Sequence, residues 1–81
     1  MKFKDIRAAD GVEFKDISEI KYRTYYYPDG SVTFDNPIAI NVSKSGGHKL
    51  ILEDGKSVYV RPGWFAFEYK VSNDTRLHWR F

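Results

Sequence analysis

The sequence predicts an all-β fold: a small antiparallel meander, or a barrel of the SH3 or OB type, with about five to seven strands. Three observations support this. Turn residues recur every few positions, at Asp10-Gly11, Pro28-Asp29-Gly30, Asp35-Asn36-Pro37, Ser45-Gly46-Gly47, Asp54-Gly55, Pro62-Gly63 and Ser72-Asn73-Asp74. The stretches between them are short and rich in Val, Ile, Tyr and Phe. No window from residue 18 onward sustains a 3.6-residue apolar period. A chain of 81 residues predicts one domain spanning 1–81. Aromatic residues make up 17% of it. Each large ring can bury roughly 150–250 Å², so one core is expected without disulfide staples.

Taken in order, residues 3–9 read as one helical turn or a first edge strand. Phe-Lys-Asp-Ile occurs at 3–6 and again at 14–17. Two copies are too few for a repeat architecture, which needs about three units. In Tyr22–Phe34, Pro28 presets φ and Gly30 accepts a positive φ, which suits a three-residue hairpin loop. Tyr27 then opposes Ser31, Thr24 opposes Phe34, and Arg23 opposes Asp35 as a cross-strand ion pair. That pair is worth at most about 1 kcal/mol when exposed. Strand alternation places Ile20, Tyr22, Thr24, Tyr26, Val32 and Phe34 on a core face. Lys21, Arg23, Tyr25 and Tyr27 fall on the opposite face.

Asp54-Gly55 signals a two-residue type I′ turn, with Glu53 opposite Lys56 and Ile51 opposite Val58. Both faces of that hairpin carry apolar residues. From Trp64 to Val71 the pattern puts Phe65, Phe67, Tyr69 and Val71 on one face. Trp64, Ala66, Glu68 and Lys70 fall on the other. The last stretch alternates as well: Leu77, Trp79 and Phe81 inward, Arg76, His78 and Arg80 outward.

Formal net charge is only +2, well short of a dedicated DNA-binding domain. Residues 1–40 carry 6 basic and 7 acidic groups, and residues 41–81 carry 7 and 4, so an anionic partner should prefer the second half. There is no cysteine, which excludes disulfides and thiolate metal sites. No apolar run approaches the roughly 18 residues of a membrane span. The first residues lead into no hydrophobic segment, so no signal peptide is expected. A cytoplasmic, membrane-free protein is the expectation.

The row Arg76, His78, Arg80 can grip phosphates, its groups about 7 Å apart along a strand. It reads more readily as a solvated face or as an edge strand that charge makes resistant to aggregation. The row Lys21, Arg23, Tyr25, Tyr27 mixes cations with rings. Such a mixture holds single-stranded nucleic acid on β-barrels, forms protein-binding hot spots, or is simply covered by residues 1–17. Trp64, with Tyr25 and Tyr27, adds to the surplus aromatic surface that usually ends in an interface.

Catalytic signals are poor. His48 follows Ser45-Gly46-Gly47, and neither His48 nor His78 has metal-ligand spacing. No Gly-x-Ser-x-Gly elbow exists, and Lys44-Ser45-Gly46-Gly47 lacks the first glycine and the following helix of a phosphate loop. No enzyme activity, cofactor or metal is expected. In size and style the chain is similar to small accessory proteins of bacteria, phages and plasmids. The leading expectation is an accessory or inhibitory factor that binds a protein partner or itself. A nucleic-acid-binding β-barrel is the alternative, and an oligomer binding a nucleotide or other small molecule the second alternative.

Overall fold

The computed structural model describes residues 1–71. The row Arg76, His78, Arg80 and the inward row Leu77, Trp79, Phe81 lie outside the described residues. A 3₁₀ turn at Phe3–Asp5 precedes seven strands: β1 Lys15–Asp16, β2 Ile20–Tyr27, β3 Gly30–Asp35, β4 Pro37–Val42, β5 His48–Leu52, β6 Ser57–Val60 and β7 Ala66–Val71. Among the described residues they form two antiparallel sheets, ordered β1-β4-β5-β6 and β3-β2-β7, and no closed barrel. The fold is therefore the all-β meander predicted, divided between two sheets. Among the described residues no helix is long and apolar enough to cross a membrane.

Both sheets contribute to one core. Ile17, Ile20, Tyr25, Ile40, Leu50, Leu52 and Val60 are buried there, with Tyr27, Phe34, Val58, Trp64, Phe67, Tyr69 and Val71 packed around them. The chain passes from one sheet to the other at Asn36, the one described non-glycine residue with a positive φ (51°). Asparagine tolerates that left-handed conformation better than most residues. Its N–H donates to Lys21 O at 2.7 Å and its carbonyl accepts from Glu53 N–H at 2.9 Å, which ties the crossing to both sheets.

Both hairpin registers differ by one residue from the sequence expectation. In the first, Tyr27 opposes Gly30, leaving Pro28-Asp29 as a two-residue loop. Arg23 consequently opposes Phe34, and Asp35 opposes Tyr22, so the expected Arg23–Asp35 pair is not formed. In the second, Leu50 opposes Val58 and Ile51 opposes Ser57, leaving Glu53-Asp54-Gly55 as a three-residue loop. Gly55 sits at φ 89° and its N–H donates to Leu52 O at 2.9 Å. Asp54 Oδ1 accepts from Lys56 N–H at 2.9 Å. A type I turn ending in a left-handed glycine accounts for this loop, and it replaces the two-residue turn expected from Asp-Gly.

The faces of β2 are inverted as well, and the cause is a bulge. Ile20 opposes Val71 while Tyr22 opposes Lys70, so β2 carries one extra residue, Lys21, against β7. An extra residue breaks the two-residue period. Ile20, Arg23 and Tyr25 therefore share the buried side, with 4%, 0% and 0% exposure. Tyr22 and Tyr26 turn to the outer face, opposite to the expectation. On β7 the alternation holds for Phe67, Tyr69 and Val71, which pack on the core. It fails for the two residues before the strand. There Trp64 packs on the core and Phe65 is 71% exposed.

Candidate functional site

Two arrangements stand out, one on each side of β2. The buried one links Arg23, Tyr25 and His48. Successive inward positions on β2 put Arg23 beside Tyr25, and the first residue of β5 brings in His48 from the other sheet. Arg23 Nε–H donates to Tyr25 Oη at 2.8 Å. Tyr25 Oη lies 2.7 Å from His48 Nδ1. Tyr25 Oη accepts from Arg23 and has one proton to give; donating it to Nδ1, with the imidazole's own proton on Nε2, is the tautomer that gives both groups of this bond a full role. Burial, with the Arg23 charge adding to it, lowers the His48 pKa to about 4. Burial raises the Tyr25 pKa, opposed by the nearby Arg23 cation. At neutral pH both stay uncharged. The chain of bonds positions Arg23.

Aromatic rings close around this network. Trp64 lies 4.9 Å from the Tyr25 ring and 4.7 Å from the His48 ring. The Arg23 guanidinium carbon lies 4.4 Å from the Phe67 ring centre, 5.5 Å from Tyr25 and 5.8 Å from Tyr69. Cation–π attraction of this kind grows when water is excluded.

The second arrangement is the outer face of the β3-β2-β7 sheet. Register places it in three cross-strand rows: Asp35, Tyr22 and Lys70; Thr33, Thr24 and Glu68; Ser31, Tyr26 and Ala66. The Thr24 and Thr33 hydroxyls bond each other at 2.8 Å. Tyr26 Oη donates to Glu68 Oε1, and that bond raises the Tyr26 pKa by holding the neutral phenol. The exposed Phe65 ring lies 6.4 Å from the Tyr26 ring at 37°. The face is thus an aromatic pair beside a mixed set of charges.

The residues singled out in the sequence are scattered by the fold. Arg23 and Tyr25 are wholly buried, with Trp64, Phe67 and Tyr69 packed beside them and Ile17 in the same core. Tyr27 is half-buried and donates from Oη to Arg61 O at 2.8 Å. Trp64 is half-buried over the network, and of the described candidates only Lys21, in the bulge, is exposed. The outer-face residues Tyr22 and Tyr26 were missed because β2 was read as an unbroken alternation, and Phe65 because the alternation of β7 was extended to a residue that precedes the strand. No three His, Cys, Asp or Glu residues converge as metal donors among the described residues.

The fold and these two arrangements define a small two-sheet antiparallel β protein. No protein-family model, curated protein or solved structure matches the chain.

Proposed function

We propose that this protein is a non-enzymatic binding protein that works through protein–protein contacts on the outer face of the β3-β2-β7 sheet. The observation that carries the reading is Phe65, 71% exposed and set against the ring of Tyr26. An exposed aromatic pair has apolar area to bury and few rotamers to freeze, which is why rings concentrate in interface centres. Glu68 bonds Tyr26 of the pair, and Asp35 and Lys70 lie two rows further along the same face, so the surface carries both signs of charge. That mixture suits a protein surface better than a polyanion, whose binding depends on clustered cations. An accessory or inhibitory factor of the kind bacteria, phages and plasmids encode is the role that fits such a surface. The cysteine-free composition fits the cytoplasm.

The test compares wild type with Phe65→Ser in affinity capture and in analytical ultracentrifugation. Wild type is expected to retain a specific protein or to self-associate, and Phe65→Ser to lose that association while unfolding at the same temperature. If Phe65→Ser keeps the association, or wild type is monomeric and captures nothing, the proposal fails.

A further inference from the structure

A buried guanidinium must meet its charge somewhere. Arginine stays protonated in proteins, and an uncompensated charge is among the costliest groups to take out of water. Arg23 is 0% exposed. Its Nε is satisfied by Tyr25. Nη1 and Nη2 are buried and have no hydrogen-bond partner among the described residues. The rings of Phe67, Tyr25 and Tyr69 attract the cation through their faces, but they leave those N–H groups without an acceptor. The Tyr25–His48 relay meanwhile holds the Nε side in place, so the far fork of the guanidinium is fixed and has no acceptor among the described residues. It lies on the opposite side of the β3-β2-β7 sheet from the proposed partner surface.

We propose that Arg23 forms an oxyanion site, in which Nη1 and Nη2 together take two oxygens of one free carboxylate- or phosphate-type anion. A planar fork with parallel N–H groups matches such a pair of oxygens bidentately. A bound anion also neutralises the buried charge, so the liganded protein is more stable than the free one. Phe67 and Tyr69 flank the guanidinium and are each half-buried. Arg23 itself is fully buried, so entry of an anion requires these rings to move aside.

The experiment is an NMR titration of wild-type protein labelled with ¹⁵N at arginine, using inorganic phosphate in one arm and acetate in another. Sodium chloride at matched ionic strength is the control. The expected result is a saturable shift of the Arg23 Nη signals, accompanied by a rise in Tm that chloride does not reproduce. Arg23→Met keeps the aliphatic stem and removes the fork, so its Tm is expected to ignore both anions. If that variant does not fold, the wild-type titration still decides. Asp74→Asn asks whether a carboxylate of the chain itself fills the site, and under the proposal it leaves the response unchanged. Nη signals that follow ionic strength alone overturn the proposal. So does an anion response that survives in Arg23→Met, or one that appears only in Asp74→Asn.

Discussion

Replacing Tyr25 by Phe removes one oxygen atom from the centre of the buried network and leaves its ring in place. The contacts of that ring with Trp64 at 4.9 Å and His48 at 5.6 Å survive. Two polar groups do not keep their partner: Arg23 Nε loses its acceptor and His48 Nδ1 loses its donor. A buried group stripped of its hydrogen bond costs about 1–3 kcal/mol, more when the group is charged. Arg23 already holds two unpartnered nitrogens among the described residues, so no spare protein acceptor is at hand there. The expected loss is about 2–5 kcal/mol, a large share of the roughly 4–12 kcal/mol that typical per-residue stabilities imply for a chain of this length. Urea unfolding followed by tryptophan fluorescence measures it, with an unchanged slope against denaturant confirming that the two end states are the same. A loss below about 0.5 kcal/mol refutes the reasoning, because the hydroxyl then joins nothing that matters.

Other outcomes follow from the same geometry. His48 has a pKa near 4 in the folded chain and about 6.5 unfolded. The unfolded state therefore binds the extra proton in that window. Stability is full above about pH 6.5 and falls by at most about 1.4 kcal/mol per pH unit as pH drops toward 4. Arg23 and Tyr25 are the ionisable groups bonded into this cluster, and His48→Gln should flatten the dependence of urea midpoints between pH 7.5 and 4.5. A Cβ at Gly47 would run into the Tyr59 ring and hydroxyl. Gly47→Ala should thus cost about 1–2 kcal/mol, and a double-mutant cycle should recover most of it in a Tyr59→Ala background. Gly55 occupies φ 89°, so Gly55→Ala should cost about 1 kcal/mol in the same assay. Phe65→Ser, by contrast, should leave stability within about 0.5 kcal/mol, as for an exposed site.

The strands were legible because their causes are local. Runs of Val, Ile, Tyr and Phe between turn residues mark β2, β3, β5, β6 and β7 directly. The registers were not legible in the same way. Pro-Asp-Gly and Asp-Gly each permit loops of two or three residues, and the choice rests on how the flanking strands meet the rest of the sheet. The bulge at Lys21 has no signature in the tripeptide Ile20-Lys21-Tyr22, since it arises from the pairing of β2 with β7, more than forty residues away. That one extra residue reversed the assignment of every following side chain on β2. Arg23 added to the error, because a charge alternating with rings reads as solvent-facing. A guanidinium set among Phe67, Tyr69 and Tyr25 and bonded to a tyrosine can be buried instead. The outer-face pair was hidden for two reasons: the bulge reversed Tyr26, and Phe65 precedes β7 and escapes its alternation.

The central claim is that the bulge turns Tyr26 toward solvent, beside the exposed Phe65, and Arg23 and Tyr25 toward the core. Solvent paramagnetic relaxation by a neutral gadolinium chelate, read on assigned aromatic ring protons of the free protein, tests it most directly. Strong relaxation of Phe65 and Tyr26, with Tyr25 protected as well as Leu50 and Ile40, is the result the account predicts. Tyr25 relaxing as fast as Tyr26, or Tyr26 as protected as the core, would contradict it.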